Sequence, residues 1–419
     1  MVFFAATACC QAPALTGTFR PKHKLLVVSV DGLDWRYLRD RDAMGERIPN
    51  LRRLLAGGQV ADGVNGVWPT ITWPSHTSII TGVRPNQHGI LGNRMPRAEG
   101  GEYYWSAHLV KVPTLLTCVA DHGLTSATIT WPVTVEAPVT YDLPEYFKRR
   151  NGGSMDEETI ASKAIPPSLP AEIARDFPSF PQQWMDDRTR TLATVWLLEH
   201  RHPDLLLVHL VDLDSDQHDL GPFNTTSRAI VERTDELIGQ MLAAMPADYD
   251  LVITSDHGFE SVEHSANLDV LLKQHDLPAK IHSLGGIATS DDPAVAAFLK
   301  SESDAGQDGI GRIIPRAELA HYAPALAEVA LAVEPADGYM FGYGSAEPAR
   351  PGTAVASGTA TPYLTPPYEK GNHGFWPLRH DYGSVYLLYG PGVQAELLPR
   401  LEMTSLEVRL AAVLGLHCP

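Results

Sequence analysis

The chain has 419 residues, of which 44% are hydrophobic and 20% are charged. This composition provides enough apolar sequence for one large α/β domain or two smaller domains, and it excludes a disordered or fibrous protein. The formal charge of −17, from 33 basic and 50 acidic residues, argues against duplex nucleic acid as a partner, because binding its backbone requires clustered Lys and Arg.

The N-terminal segment, residues 1–23, begins with a stretch of apolar and small residues that no basic region precedes. Ala6-Thr7-Ala8-Cys9 resembles a lipoprotein cleavage site, so the segment is either the remnant of an export signal or a disordered N-terminus. We expect export to the periplasm, the exterior or a lipid anchor, with a cytoplasmic location as the alternative. No segment is apolar over enough residues to predict a transmembrane helix.

The four cysteines do not follow a pattern typical of a metal site or of a disulfide framework. Cys9 and Cys10 are adjacent, Cys118 lies in a helical pattern, and Cys418 is next to the last residue. Because no C-x-x-C pair is present, we predict neither a zinc ribbon nor a disulfide framework. We interpret Cys118 as a small buried hydrophobic residue.

Five short aliphatic runs predict strands of a mostly parallel sheet that is buried on both faces. The runs are Lys24–Asp31, Ala127–Trp131, Asp204–Leu213, Asp250–Asp256 and Ser384–Pro391. Helical patterns alternate with them, at Ile48–Ala56, Val112–His122, Asp187–His200, Ser227–Met245 and Asn267–His275. We expect Thr225 or Thr226 to cap the fourth helix. The alternation predicts a doubly wound α/β fold, whose ligands gather at the carboxyl ends of the strands.

Two segments interrupt this alternation. Residues 138–183 are rich in Pro and in charged residues, which predicts a loop-rich excursion over one edge of the sheet. Residues 259–369 carry helical and strand patterns of their own and end in a stretch rich in Gly, Pro, Ser and Thr. We therefore expect a catalytic α/β domain formed by residues 24–258 and 370–419, with residues 259–369 as an inserted cap subdomain.

Acidic residues and histidines stand at four places just past strand ends or in a glycine-flanked turn. They are Asp31, Asp214 with His218, Asp256 with His257, and His373. Carboxylate oxygen and imidazole nitrogen are ligands that suit zinc, and the carboxyl ends of parallel strands bring distant residues together. One Asp after a strand is more often a turn former, but four such places in one chain predict a metal site.

The segment from Pro69 to Thr77, which reads PTITWPSHT, places hydroxyl groups at the start of a predicted helix. On its own this pattern is also typical of an ordinary helix cap. Beside a dication, however, a hydroxyl at a helix N-terminus has a lowered pKa and can attack phosphorus. The free amides of the first turn also favour an anionic phosphate.

The run from Thr72 to Asn93 resembles the nucleophile region of the nucleotide pyrophosphatase/phosphodiesterases, a family of the alkaline phosphatase superfamily. The resemblance covers, in order, roughly residues 24–395. Four further elements are similar to metal-binding motifs of the family: Asp31-Gly32, Asp214 to His218, Asp256-His257-Gly258 and His373-Gly374-Phe375. The second element departs from the family pattern, because Gln217 stands where Gly is usual.

The resemblance implies two zinc ions per chain, each held by three protein ligands. One ion would be held by Asp214, His218 and His373, and the other by Asp31, Asp256 and His257. The hydroxyl of Thr72 would occupy the open position of the second ion, and the side-chain amide of Asn93 would donate to a phosphate oxygen. The implied reaction is an in-line displacement through a threonyl-phosphate intermediate, which water then hydrolyses.

Residues near these candidates receive other interpretations. We interpret His209 as a satisfied core histidine, and we expect Asp214 rather than Asp212 to be the ligand, because Asp214 lies four residues before His218. We interpret His76 and His88 as residues that support the site without binding metal. Trp73 is either a core residue or an aromatic residue beside the leaving-group pocket.

Two relatives within the superfamily are disfavoured by the nucleophile itself. Sulfatases require Cys or Ser where Thr72 stands, and Arg where His76 stands. Threonine cannot become the aldehyde that sulfatases use. Phosphoglycerate mutases that work without a phosphate cofactor use a serine nucleophile.

A protein of another class also has to be considered, namely a zinc-binding module without catalytic activity. Such a module would not need Thr72 or all six candidate ligands, so it remains a remote alternative.

The choice between a phosphodiesterase and a phosphomonoesterase depends on positive charge near the phosphate. Monoesterases with a threonine nucleophile carry a Lys and an Arg after the strand that follows the asparagine, but Thr128–Val135 contains no cation. Trp131-Pro132 instead resembles the Trp-Pro of the phosphodiesterase branch. We expect a small phosphate diester or nucleotide as substrate. A monoesterase stays open, because residues 148–150 (Lys-Arg-Arg) could supply charge; the natural substrate and the oligomeric state also stay open.

Overall fold

The structure is a computed structural model that describes residues 23–147, 162–180, 185–342 and 362–418. Its strands, in chain order, are β1 (Lys24–Val30), β2 (Gln59–Ala61), β3 (Val64–Asn65), β4 (Ser126–Ile129), β5 (Tyr141–Leu143), β6 (Leu205–Leu210), β7 (Tyr249–Thr254), β8 (Glu260–Ala266), β9 (His282–Ser283), β10 (Ala288–Ser290), β11 (Ile310–Ile313), β12 (Leu331–Pro335), β13 (Gly338–Phe341), β14 (Leu364–Thr365), β15 (Gly371–Asn372), β16 (Tyr386–Tyr389), β17 (Glu396–Leu398) and β18 (Leu401–Glu402).

The α-helices of the same residues alternate with these strands. They are α1 (Trp35–Arg39), α2 (Arg41–Met44), α3 (Pro49–Gly57), α4 (Thr72–Thr81), α5 (Pro85–His88), α6 (Leu115–Asp121), α7 (Leu169–Asp176), α8 (Asp187–His200), α9 (Asp212–Leu220), α10 (Thr225–Ala244), α11 (Leu268–Gln274), α12 (Pro293–Ala305), α13 (Arg316–Tyr322) and α14 (Leu406–Val413). No helix in the described ranges is both long enough and apolar enough to cross a bilayer.

Eight strands form the central sheet, in the order β17-β2-β16-β7-β1-β6-β4-β5. Strand β16 runs antiparallel to both of its neighbours, and the remaining neighbouring strands pair in parallel. Alternate residues of β1 enter two different cores: Leu26 and Val28 pack on one face of the sheet, and Leu25 and Val27 pack on the other. The predicted doubly wound, mostly parallel α/β fold is therefore confirmed.

One predicted helix cap and one predicted strand end differ from the structure for local reasons. The side chain of Asn224 accepts from the amides of Thr226 and Ser227, so Asn224 caps α10 and the expected cap at Thr225 or Thr226 is wrong. The predicted strand through Leu213 also ends earlier, because α9 already begins at Asp212. This early start places Asp214 and His218 one helical turn apart.

The residues after Gly258 build smaller sheets beside the central one. Strands β11, β12, β10 and β9 form a four-stranded antiparallel sheet, and β8 pairs with β13, β14 and β15. A separate apolar core, with Leu272, Leu299 and Phe341 fully buried, lies between these sheets and helices α11 and α12. The Gly- and Pro-rich residues 343–361, like residues 1–22, lie outside the described part of the chain.

A disulfide joins Cys118 in α6 to Cys418 at the C-terminus. The cysteine spacing indicated no disulfide framework, so this single bond was missed in the sequence. The two residues are 300 positions apart in sequence, so their spacing carried no sign of the contact that the fold creates. Cys118 is buried, as expected, in the apolar core against α14.

Candidate active site

The two central strands of the sheet end side by side, and each is followed by candidate ligands. Strands β1 and β7 are parallel neighbours, with Ser29 opposite Thr254. Asp31 follows β1 directly, and Asp256 and His257 follow β7 after a single serine. Because both strands end at the same sheet edge, residues more than 220 positions apart in sequence meet there.

Asp31, Asp256 and His257 form the first group of potential metal ligands. Nε2 of His257 lies 3.2 Å from Oδ1 of Asp31 and 3.0 Å from Oδ2 of Asp256. All three side chains are buried, and these three atoms make no hydrogen bond within the described residues. Buried polar atoms without partners are costly, and atoms of this kind converging on one point are what a bound cation would satisfy.

Asp214, His218 and His373 form the second group. Oδ1 of Asp214, which also makes no hydrogen bond among the described residues, lies 3.6 Å from Nε2 of His218 and 3.7 Å from Nε2 of His373. The rings of His373 and His257 stack with centroids 3.8 Å apart, so the two groups adjoin. The structure thus brings together all six residues that the sequence singled out as ligands.

Crowding of three carboxylates changes the proton affinity of this site. Burial, assisted by repulsion from Asp31, raises the pKa of Asp214 to about 7. Burial alone would raise the pKa of Asp31 as well, but the hydrogen bond with His209 and the nearby ring of His257 hold that pKa well below its usual range. Burial and the neighbouring His257 lower the pKa of His373. A site with this excess of negative charge attracts cations.

Helix α4 begins at Thr72, which is buried, and the N-cap residue Ile71 has no side chain that could bond the first-turn amides. The amide of Trp73 donates to Oδ1 of Asn93 over 3.1 Å. Because that oxygen is engaged, the NH₂ group of Asn93 is the part of the side chain left to serve a ligand. The carbonyl of Thr70 accepts from the amide of Gly374 and lies 3.2 Å from Nδ1 of His373, which ties the nucleophile segment to the second ligand group.

A pocket of about 410 Å³ opens beside the second ligand group. Its wall is mostly apolar, and residues 259–369 contribute Leu284, Met340, Tyr368 and Glu369 to it. The other lining residues are Ile71, Asn93, His218, Asn372, His373 and Gly374. No Lys or Arg of the described chain lines this pocket. Lys148, Arg149 and Arg150, proposed above as a source of charge, lie outside the described residues.

The neighbouring candidates make their hydrogen bonds and packing contacts with residues outside the two ligand groups, although Nδ1 of His76 also lies 3.7 Å from Oδ2 of Asp256. Asp212 accepts from the amide of Asp187 and from the guanidinium of Arg233, which leaves Asp214 as the acid in the group. His76 donates from Nδ1 to the carbonyl of Thr72 and accepts at Nε2 from Ser29. In the same way, His88 is bonded to Ser78 and the amide of Ile90, whereas Trp73 packs against Tyr103 and Trp105.

Some contacts of the site were missed in the sequence. His209, interpreted as a core residue, is fully buried but bonds Asp31 and also Glu145. Gln217, which stands where Gly is usual, donates to the carbonyl of Gly32 and accepts from Tyr37, so it fastens α9 to the turn after Asp31. The partners of His209 and Gln217 are all at least 64 positions away in sequence, so these contacts could not be read from the sequence. The one available signal was the presence of a histidine inside an apolar strand.

Comparisons with known proteins agree with the resemblance. The sequence model of the family "Type I phosphodiesterase / nucleotide pyrophosphatase" matches residues 25–335. Bis(5'-adenosyl)-triphosphatase ENPP4 of Pongo abelii is 25% identical over 268 residues, which are 59% of this chain and 51% of the relative. Human ectonucleotide pyrophosphatase/phosphodiesterase family member 1 is 24% identical over 247 residues, or 56% of this chain and 23% of the relative. The chain spans about half or less of these curated relatives.

A solved structure has the same fold at low identity. The murine ectonucleotide pyrophosphatase/phosphodiesterase 5, an inactive variant in complex with AMP, superimposes with a TM-score of 0.64 and 18% identity over 95% of this chain and 96% of that chain. The family match covers most of the chain, and the fold and the grouped acids and histidines agree with it. This chain belongs to the type I phosphodiesterase/nucleotide pyrophosphatase family of the alkaline phosphatase superfamily.

Proposed function

We propose that this chain is a two-zinc phosphodiesterase or nucleotide pyrophosphatase that acts through a threonyl-phosphate intermediate. The observation that carries the proposal is the convergence of two groups of three potential ligands beside the segment that bears Thr72. Carboxylate and imidazole in these proportions suit zinc. Membership of a hydrolase family supports the same assignment.

The residues present fit two cations. Asp31, Asp256 and His257 would hold one of them and Asp214, His218 and His373 the other, because the potential ligand atoms of each group lie close together. Four of these atoms, one each from Asp31, Asp256, His257 and Asp214, make no hydrogen bond among the described residues. Bound zinc would supply positive charge that lowers the pKa of a nearby hydroxyl and stabilises charge developing on phosphate oxygens.

Thr72 is the proposed nucleophile because it is the first residue of a ten-residue helix and its N-cap neighbour, Ile71, makes no side-chain cap there. Its Oγ forms a bond to phosphorus as the ester P–O bond breaks. The hydroxyl proton passes to solvent, and the leaving oxygen takes up a proton. Water then attacks the threonyl-phosphate and restores the free hydroxyl. Asn93, held at Oδ1 by the amide of Trp73, would donate from its NH₂ group to a phosphate oxygen.

A diester is the substrate class that the pocket supports. A monoester carries a second negative charge, and sites that favour it usually add Lys or Arg over the phosphate. In the described chain the pocket beside the ligand groups is lined by apolar residues, amides and one carboxylate, Glu369, besides the histidines.

We propose that residues 259–369 act as an inserted cap, since Leu284, Met340 and Tyr368 would contact the second substituent of a small diester or nucleotide.

Hydrolysis of two chromogenic substrates by the zinc-loaded protein tests this function. We expect bis-p-nitrophenyl phosphate to be turned over with a higher kcat/KM than p-nitrophenyl phosphate. A preference for the monoester would replace the diesterase assignment by phosphomonoesterase. No turnover of either substrate would contradict an enzymatic role and favour a zinc-binding module without activity.

We also propose that the protein is exported. The disulfide between Cys118 and Cys418 supports an oxidising compartment. Relatives whose names carry the prefix "ecto" point in the same direction. Labelling of free thiols in protein extracted from its native source, with and without reduction, tests this: a reduced pair would contradict export.

A further inference from the structure

We infer that Glu369 is a positioning residue, whose carboxylate orients the imidazole of His218 and thereby strengthens zinc binding at the second ligand group. The inference rests on the proposed function, since it assumes that Asp214, His218 and His373 hold a metal ion. Glu369 itself does not belong to either ligand group. It comes from the segment between β14 and β15, which is remote in sequence from α9, where His218 lies.

Two contacts fasten this segment to His218, and a third holds the carboxylate of Glu369 in place. Oε2 of Glu369 lies 3.0 Å from Nδ1 of His218. The same oxygen accepts from the side-chain amide of Asn372 over 2.9 Å, which fixes the carboxylate in turn. The backbone amide of Lys370 donates to the carbonyl of His218 over 2.9 Å. The side chain and the backbone of His218 are therefore both held by residues 369–372.

The contact selects which ring nitrogen of His218 is available to a metal. A carboxylate only accepts hydrogen bonds, so Nδ1 must carry the proton that lies between the two groups. The lone pair of the neutral ring is then on Nε2, the atom that faces Oδ1 of Asp214. A carboxylate partner also increases the basicity of a ligating imidazole. The hydrogen-bond geometry and the effect on basicity thus both favour binding of a metal ion at Nε2 of His218.

The other two histidines of the site are oriented differently. Nδ1 of His257 lies 3.2 Å from its neighbour's carbonyl, that of Gly258, and Nδ1 of His373 lies 3.2 Å from the carbonyl of Thr70. Both partners are backbone groups. In the described chain, the orientation of His218 can therefore be changed by replacing one side chain, and the change should affect one zinc ion and leave the other.

The test compares zinc affinities of four purified proteins: wild type, Glu369→Ala, Glu369→Gln and the control Glu263→Ala, which removes an exposed carboxylate from β8. Zinc-free protein is titrated with zinc against a chromophoric chelator, and its thermal midpoint is recorded. We expect Glu369→Ala to weaken one of two zinc affinities by about 10- to 100-fold, with the other affinity and the midpoint of the zinc-free protein unchanged. Glu369→Gln, which keeps an acceptor, should lose less.

The outcomes separate this inference from the proposed function. Wild type that binds no zinc would overturn the metal site itself. If wild type binds two zinc ions and Glu369→Ala binds them with the same two affinities, the role of Glu369 alone is overturned. An equal loss at both sites together with a lower midpoint of the zinc-free protein would show a general structural role, and it would also overturn the inference.

Discussion

Nε2 of His209 lies 3.0 Å from Oδ2 of Asp31. On its other side, Nδ1 of the same ring lies 2.9 Å from Oε2 of Glu145, and the ring is fully buried. Burial opposes a charged ring, but the hydrogen bonds with Asp31 and Glu145 raise the pKa of His209 to about 10. His209 therefore engages one oxygen of Asp31, while the other oxygen faces His257.

We predict that His209→Ala lowers zinc content and kcat/KM by about 10- to 100-fold, a range typical for residues that hold a metal ligand. The variant leaves Asp31 free to rotate, and it leaves Glu145 buried without this partner. Zinc analysis and diester hydrolysis measure the effect, with His264→Ala, an exposed histidine on β8, as the control. Wild-type zinc content and kinetics in His209→Ala would contradict the assigned contact.

The candidate ligands could be found in the sequence because most of them directly follow predicted strands. Continuous apolar runs identified β1, β6 and β7 to within a few residues, and the acids that follow them stood out by type and position. The family motif added Thr72 and Asn93. Parallel pairing then brings the strand ends together without any further information from the sequence.

The supporting contacts were not predictable, because each depends on a partner far along the chain. His209 meets Glu145 across 64 positions, and His218 meets Glu369 across 151. The short strands β2 and β17 at one side of the central sheet, three residues each, are too short to show a period. The cap of α10 was missed by one residue, since Asn, Thr and Thr in succession are all acceptable caps.

Thr72→Ala should reduce diester turnover by at least about a thousandfold, because the covalent step loses its nucleophile. Zinc content should stay near that of wild type, since the six proposed protein ligands remain. Thr81→Ala at the opposite end of α4, which removes a buried hydroxyl bonded to the carbonyl of Thr77, is the matched control and should stay active. Substantial turnover by Thr72→Ala would rule out its role as nucleophile.

The disulfide should stabilise the fold without taking part in the reaction. It closes a loop of about 300 residues between α6 and the C-terminus, and loss of a native disulfide typically costs about 2 to 5 kcal/mol. We expect the double variant Cys118→Ser, Cys418→Ser to unfold at lower temperature and to keep the kcat/KM of wild type when folded. An unchanged thermal midpoint in the variant would show that the bond contributes no stability.

Glu46, in the loop between α2 and α3, is a buried acid without a hydrogen bond to either carboxylate oxygen among the described residues. Burial raises its pKa to about 7, whereas an unfolded Glu titrates near about 4.3. Between these two values the folded protein binds more protons at this position than the unfolded chain. The contribution of Glu46 to the free energy of unfolding therefore falls as pH rises through this window.

We predict that Glu46→Gln removes this pH dependence. The variant should match wild type below about pH 3.5, where Glu46 is mostly protonated in both states, and should exceed it by about 1 to 2 kcal/mol at pH 8, a figure reduced for solvent screening of this partly buried group. Urea unfolding at pH 5 and pH 8 measures the difference, and Glu236→Gln, an exposed acid on α10, controls for a general effect of lost charge. An advantage of Glu46→Gln that is the same at both pH values would contradict the raised pKa, because a neutral acid and its amide differ little in charge at the lower pH.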